Sequence, residues 1–495
     1  MQGLPAALYR TAQVRELDRR AIEDQRISSF ELMQRAADAT FGELRRRWPQ
    51  ARRIQVLCGS GNNGGDGLLL AVRAEGMETE VSLVSKLEEL KGDAALALTT
   101  YQERGGVLRA YAGKALPQVD VVVDALLGTG LTRPVEGLYK VAIDAINAAR
   151  LQGAGVLAMD IPSGLSADTG IPLGAAVTAD LTVSFIGLKL GLFIGEGPDF
   201  CGDVVFHDLA VPHAIYDNLP PAAHCLTDSL RAAWLRARKR TAHKSAHGHV
   251  LCVGGDYGMG GAIRLAAEAA LRCGSGLVSV ATRPRHAVAM VQARPELMAR
   301  GVGAPGGILA SLLARAKVLV LGPGLGQGEW GRALFMQALD FTGRVVLDAD
   351  GLNLLAHNPL RRDDWVLTPH PGEAARLLGI SVAEVQSDRP AAVNALLARY
   401  GGVVILKGAG TLGQASGGAL YVNTGGNPGM AAGGMGDVLS GVIGALLAQG
   451  LRPEDAARLG VYLHARAGDL AANAGGERGL IPSDLLPFLR QLVNP

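Results

Sequence analysis

Short apolar runs rich in valine, leucine and isoleucine punctuate the chain at regular intervals. In the first half they are Ile54–Cys58, Thr79–Val84, Val119–Asp124, Gly155–Asp160 and Leu181–Phe185. They read as continuous apolar runs more than as alternations. Strands buried on both faces read this way, and such strands belong to parallel sheets. Between them lie stretches with helical spacing, such as Val135–Arg150. This alternation predicts a doubly wound α/β unit. Near residue 215 the rhythm breaks, with Pro212, Pro220 and Pro221 close together and then RARKRTAHKSAHGH. It restarts with His249–Val253, Leu277–Ala281, Lys317–Leu321, Arg344–Asp348, Trp365–Thr368 and Val403–Lys407. The expectation is an α/β protein of two domains, a Rossmann-like doubly wound one over residues 1–218 and a second α/β one over residues 222–495.

Composition narrows the picture. A chain of 495 residues holds two or three domains at roughly 100–200 residues each. Apolar residues make up 48%, ample for two cores. Net charge is +2 with both signs interspersed, which gives no reason to expect nucleic acid or a membrane surface as partner. Five cysteines lie scattered without CxxC pairs or metal-ligand spacing, pointing to a reduced, cytoplasmic protein. The opening MQGLPAALYRTAQVRELDRRA lacks the apolar core of a signal peptide, and charges interrupt every candidate membrane span. Alanine-rich helices suit self-association, so a homo-oligomer is expected.

Ligands of open parallel sheets bind beyond the carboxyl ends of the strands. Three glycine turns in the first half sit there: GSGNNGGDG after Ile54–Cys58, DALLGTGLTRP after Val119–Val123, and DIPSG after Gly155–Met159. Each combines an acid or amide at a strand end with glycines, which let a backbone approach a ligand and present N–H groups to phosphate. The spacing is neither the GxGxxG dinucleotide fingerprint nor a P-loop. Glycine and aspartate also make ordinary turns, but three on successive strand ends, with Asn62, Asn63, Asp66, Asp124, Asp160 and Ser163 at the rim, favour a ligand site.

Together and in this order, NNGGDG, DxxxGTG and DxPSG closely resemble the YjeF N-terminal domain, the NAD(P)H-hydrate epimerases. The upstream ISSFELMQRAADAT is similar to that family's opening helix, and the likeness covers residues 8 to 215. The resemblance implies a substrate that is reduced nicotinamide dinucleotide, NADH or NADPH, hydrated at C6 of the ring. The ring nitrogen can help expel the C6 oxygen or open the ring, so inversion needs mainly a held substrate and a placed acid/base. Asp160 is the candidate acid/base and substrate contact. Asn62, Asn63, Gly64, Gly65 and Asp66, with Gly128, Thr129, Gly130, Leu131, Thr132, Arg133 and Pro134, would hold the dinucleotide. The family's potassium ion carries over to Asn63, Asp124 and Ser163. Asp66 is placed at the N-terminus of the following helix. Lys189, in FIGLKLGLF, either neutralises a phosphate or snorkels at a strand end.

The second half is denser in motifs. VGGDYGMGGA precedes an alanine-rich helix at 261–273, LGPGLG follows Lys317–Leu321, and DADGLN ends Arg344–Leu347. TPHPGE follows Trp365–Leu367, and KGAGT follows Val403–Leu406. NPGMAAGGMGDVLSG, residues 427 to 441, places glycines just before Asp437 and an apolar helix, Val438–Gln449. Gly433, Gly434 and Gly436 thus put backbone N–H groups at a helix N-terminus, an anion hole for a moving phosphoryl group. Asp437 beside it can take a proton from an attacking hydroxyl. A helix start with an acidic first turn would need only one such residue, favoured by the dipole alone.

This GxGD pattern resembles ribokinase-like kinases, and the whole set resembles the YjeF C-terminal domain, the ribokinase-like NAD(P)H-hydrate dehydratases, from residue 226 onward. By motif, Ala262, Gly324, His370 and Asp437 would contact the hydrated dinucleotide. Lys407, Gly408, Ala409, Gly410, Thr411 and Gly436 would contact the adenine nucleotide, which the likeness to fused bacterial forms implies is ADP. The family's lysine in HKxxxxG falls on Lys244, which is equally read as part of a solvated basic linker. Hydroxide leaves a ring poorly; phosphorylating it, with Mg²⁺ and the anion hole steadying the phosphoryl group, makes phosphate the leaving group. Two rivals stay open: a vitamin or sugar kinase with an accessory domain, and a non-catalytic binding role for the first domain.

Overall fold

The protein, a computed structural model, is described over residues 4–304 and 306–494. It divides into two compact units, one running to His224 and one beginning at Cys225.

The first unit is built on β1 (Arg53–Cys58), β2 (Glu78–Leu83), β3 (Leu108–Ala110), β4 (Val121–Ala125), β5 (Gly155–Met159), β6 (Leu181–Phe185) and β7 (Asp203–His207). All pair in parallel in the order β3-β2-β1-β4-β5-β6-β7. Successive side chains of a strand point to opposite faces, and here both faces are apolar. Val56 and Val123 join a core with Leu68 and Leu69, while Leu57 and Val122 join another with Ile143 and Ile146. Helices α1 (Thr11–Arg19), α2 (Ser29–Arg47) and α3 (Asn62–Arg73) feed the first core, and α4 (Gly137–Leu151) feeds the second. The strand order reverses between β1 and β4. In such sheets that reversal leaves a crevice at the strands' carboxyl ends.

The second unit repeats this logic with a different order. Its strands are β8 (His249–Val253), β9 (Leu277–Thr282), β10 (Met298–Gly301), β11 (Val318–Leu321), β12 (Arg344–Leu347), β13 (Trp365–Leu367), β14 (Val403–Leu406), β15 (Thr411–Ala415) and β16 (Leu420–Asn423). They run β16-β15-β14-β13-β12-β11-β8-β9-β10. Pairing is parallel up to β14, and β15 and β16 add antiparallel. Helix α5 (Gly260–Arg272) follows β8, α6 (Pro371–Leu378) follows β13, and α7 (Arg389–Tyr400) precedes β14. Helix α8 (Met435–Ala448) is buried along almost its whole length. It can lie flat because a Cβ at Gly441 would stand 2.0 Å from the Ala266 carbonyl oxygen of α5. Helix α9 (Pro453–Gly475) covers it.

The predicted runs match the strands to within a residue or two at each end. The short strands β3, β7, β10, β15 and β16 were not anticipated. Among the described residues no helix is long and apolar enough to cross a membrane. The five cysteines are free thiols, and all except Cys225 are buried.

Candidate active sites

The β1–β4 crevice gathers the three motifs of the first unit. NNGGDG, expected as a turn with Asp66 opening the helix behind it, is itself the start of α3, which begins at Asn62. Glycine normally opposes helix formation. Here space decides: a Cβ at Gly64 would stand 1.9 Å from the Gly59 carbonyl oxygen, and one at Gly67 would stand 2.5 Å from the Ala125 Cβ. Asn62 through Asp66 therefore present the first turns of a helix toward the crevice. The 128–134 stretch, Gly128 to Pro134, is the partly exposed loop leaving β4.

Asp124, at the end of β4, is fully buried. Ser163 donates from its hydroxyl to Oδ1 at 2.6 Å and from its backbone to Oδ2 at 2.8 Å, and the Leu126 amide donates at 3.2 Å. Burial still pushes Asp124 up to about 6, because these neutral donors offset only part of the desolvation. Leu127 ties Ser163 to the next loop, its N–H donating to the hydroxyl at 2.8 Å. The next residue, Gly128, backs onto Asn63, with its hypothetical Cβ 3.5 Å from the Asn63 Cβ. Asn63 is buried, and neither its Oδ1 nor its Nδ2 has a hydrogen-bond partner among the described residues. An orphaned buried amide is costly. Beside a buried carboxylate and a hydroxyl it forms an oxygen-donor set suited to a hard monovalent cation.

Asp160 turns out of β5 with φ of +67°. Its Oδ1 accepts from Lys189 Nζ and from the Phe185 amide at 3.3 Å. Lys189 is almost wholly buried, so neither expectation for it holds: the ammonium reaches neither solvent nor an open phosphate site. Asp18 of α1 completes the set; burial, with the Asp160 charge adding, pushes it up to about 6 against the opposing pull of Lys189. Burial also raises Asp66 well above the usual range, with Asp160 and Asp18 adding.

In the second unit the strand order reverses between β8 and β11. There the Gly255 amide donates to the Pro323 carbonyl at 3.1 Å and the Asp256 amide to the Gly324 carbonyl at 2.6 Å. Gly324 has φ of +60°, and a Cβ on it would lie 3.2 Å from the Ala262 Cβ. Ala262 and Gly324 are thus neighbours. At the end of β12, buried Asp348 accepts from Lys407 Nζ at 2.7 Å and from the Ser440 hydroxyl of α8 at 2.7 Å. Burial opposes charge on both partners. The ion pair outweighs it, holding Asp348 below and Lys407 above their usual values. Glu373 of α6 lies 3.9 Å from the same ammonium and accepts from the His370 amide at 2.8 Å. Burial moves Glu373 up to about 7. His370 caps α6, its Nδ1 accepting from the Gly372 amide at 3.0 Å, and its ring stays half exposed.

Asp437 sits in the first turn of α8. Burial and the nearby Asp348 charge push it up to about 6. A Cβ at Gly436 would stand 2.9 Å from Lys407 Nζ, so the anion hole and Lys407 adjoin. Gly408 to Gly410 make the tight turn from β14 into β15, with φ of +134° at Gly408 and +60° at Gly410. Thr411 closes it with a hydroxyl bond to the Gly408 carbonyl at 2.8 Å. Buried Arg389 donates to the Lys407 carbonyl at 3.2 Å from behind. Among the described residues no cluster of His, Cys, Asp and Glu could cage a metal ion. Asp18, Asp348, Glu373 and Arg389 were not anticipated. The acid closing DADGLN's strand was the available signal for Asp348, and Glu373 is the last residue of TPHPGE; Asp18 and Arg389 lie on helices with no local spacing to mark them.

Both crevices fall within regions with known relatives. A family described as YjeF-related protein N-terminus matches residues 29–191, and one described as NAD(P)H-hydrate dehydratase matches residues 250–490. The second unit resembles a solved ribokinase-like superfamily protein from Enterococcus faecalis, at 28% identity and a TM-score of 0.50, over 54% of this chain and 94% of that one. The class is therefore an α/β chain joining a YjeF N-terminal unit to a ribokinase-like unit. A bifunctional NAD(P)H-hydrate repair enzyme from Coxiella burnetii is 49% identical over 99% of both chains. One from Escherichia coli is 44% identical over 100% of this chain and 95% of its own. The chain belongs to the family of bifunctional NAD(P)H-hydrate repair enzymes.

Proposed function

We propose that the first unit interconverts the R and S epimers of hydrated NADH and NADPH and that the second returns the S form to NAD(P)H at the expense of ADP. The observation that carries this reading is the pair of switch-point crevices, each with an acid/base carboxylate beside glycine-lined backbone N–H groups. In the first, Asp160 moves the proton on the C6 oxygen while the start of α3 and the 128–134 loop hold the dinucleotide. Asn63 Oδ1, Asp124 and the Ser163 hydroxyl would hold a potassium ion, whose charge would satisfy the buried carboxylate and orphaned amide and fix the geometry of the three loops. In the second, Asp437 takes the hydroxyl proton as the C6 oxygen attacks the terminal phosphoryl group of ADP and AMP leaves. The C6–O bond then breaks with its electron pair on phosphate, the ring nitrogen supplies the push, and loss of the C5 proton restores the double bond. Gly434 and Gly436 present N–H groups to the phosphoryl oxygens. Lys407, fixed by Asp348, adjoins them. With no carboxylate cage among the described residues, Mg²⁺ would ride chiefly on the nucleotide phosphates. The reading includes a cytoplasmic location and self-association.

The test supplies both epimers of hydrated NADH with Mg²⁺, K⁺ and either ADP or ATP, and follows the return of NADH absorbance. Complete recovery with ADP is expected. Recovery that stops when one epimer is spent overturns the epimerase half. A stable phosphorylated product with no NADH would favour the rival small-molecule kinase.

A further inference from the structure

Lys189 has no place in the scheme above, yet it is among the largest fully buried side chains of the chain. Burying an ammonium is costly unless it is paired and its protons are bonded. All three acceptors are supplied: Asp160 Oδ1, the Phe185 carbonyl at 3.0 Å and the Ser184 hydroxyl at 3.2 Å. The backbone around it is pinned as well. Tyr9 donates to the Leu188 carbonyl at 2.8 Å, and Leu190 donates back to the Tyr9 carbonyl at 2.9 Å. Leu17 of α1 packs on Gly187, 3.1 Å from where a Cβ would be. The N-terminal segment thus covers a lysine whose charge is directed at one oxygen of Asp160. The other oxygen, Oδ2, accepts no hydrogen bond from any described residue.

We infer that Lys189 is a positioning residue of the epimerase: it anchors Oδ1 of Asp160 so that Oδ2 is the oxygen presented to the hydrated ring, and it balances the acids that converge there. This rests on the epimerase reading of the first unit. The charged groups near that ammonium are Asp160 at the end of β5, Asp18 on α1 and Asp66 on α3, and Tyr216 lies within reach of the Asp18 charge. Removing the positive charge leaves Oδ1 of Asp160 without its anchor and leaves the acids that converge there unbalanced in a part-buried space.

The experiment measures epimer interconversion by the full chain without ADP, as a function of pH, for wild type, Lys189→Met and Lys189→Arg, with dehydratase activity as the control for a folded chain. For Lys189→Met, kcat is expected to fall ~100-fold with KM nearly unchanged, and the acid limb of the profile to move up by about one pH unit. Lys189→Arg keeps the charge but not the fit, so its acid limb stays put while kcat falls less. A wild-type profile in Lys189→Met overturns the inference, as does a rise in KM alone, which would instead mark a phosphate contact. If Lys189→Met does not fold, an acid limb shifted in Lys189→Arg overturns it too. Absence of wild-type interconversion sinks the epimerase reading itself, an outcome distinct from activity that survives the substitution.

Discussion

Two carboxylates near one lysine are driven in opposite directions in the second crevice. Asp348 takes the ammonium at 2.7 Å together with the Ser440 hydroxyl and is held down. Asp437 is part-buried with no ion pair among the described residues, and burial with the Asp348 charge pushes it up to about 6. A split of this kind separates roles: Asp348 keeps Lys407 in place, and on the proposed reading Asp437 is the group that trades protons. Dehydration requires ionised Asp437, so its kcat/KM is expected to climb with pH through about 6 and level off above 7, while Asp437→Asn abolishes the climb and lowers the rate by ~1,000-fold or more. Stability should run the other way. The folded-state value lies above the ordinary 3.8, so the folded unit binds the proton more tightly, and stability falls as pH rises from about 4 to about 6. Asp437→Asn removes that loss and is expected to stabilise the second unit by roughly 1–3 kcal/mol at pH 7, stability being exchanged for activity. Thermal unfolding at pH 5 and pH 7, read on the transition that ADP shifts, measures this. A variant no more stable than wild type at pH 7 would contradict it.

At the scale of elements, the start of α3 does most to shape the first crevice, and it was misread in the sequence for a physical reason. Three glycines within Asn62–Gly67 argue for a turn by propensity, yet each tight approach, such as the Gly64 position to the Gly59 carbonyl, demands a residue without a Cβ. Gly64→Ala is therefore expected to destabilise the first unit by about 2 kcal/mol or more and remove epimerase activity, with dehydratase activity retained. Gly61→Ala is the control, since nothing lies within 4 Å of its hypothetical Cβ. Equal effects of the two substitutions on epimer interconversion would refute the steric account. The long parallel strands were legible because burial on both faces leaves an unbroken apolar run, as in Val121–Ala125. Strands β15 and β16 were not, because they add antiparallel beyond the parallel run, where β15 carries Gly413 and Gln414. The motif acids Asp124 and Asp160 at strand ends and Asp437 at a helix start stood out because glycines lie close to them. Asp18 and Arg389 come from helices distant in sequence, and only folding brings their charges to the crevices.

For the whole molecule, the question is whether the two chemistries need one chain. Each unit has its own hydrophobic core and its own reversal of strand order, and each crevice is lined by the motifs of its own unit. The compound that passes between them is a soluble dinucleotide that either unit can bind from solution. If so, loss of one activity on one chain should be made good by another chain. Asp160→Asn alone is expected to convert only the S epimer rapidly and then proceed at the slow spontaneous rate. Asp437→Asn alone should interconvert epimers and yield no NADH. An equimolar mixture of the two variants, given both epimers with ADP, Mg²⁺ and K⁺, should recover all the NADH, with a rate that saturates as the Asp437→Asn chain is raised. A mixture that stalls where Asp160→Asn stalls would mean that the epimer made in one unit reaches the second only along the same chain, and the fusion would then be part of the mechanism.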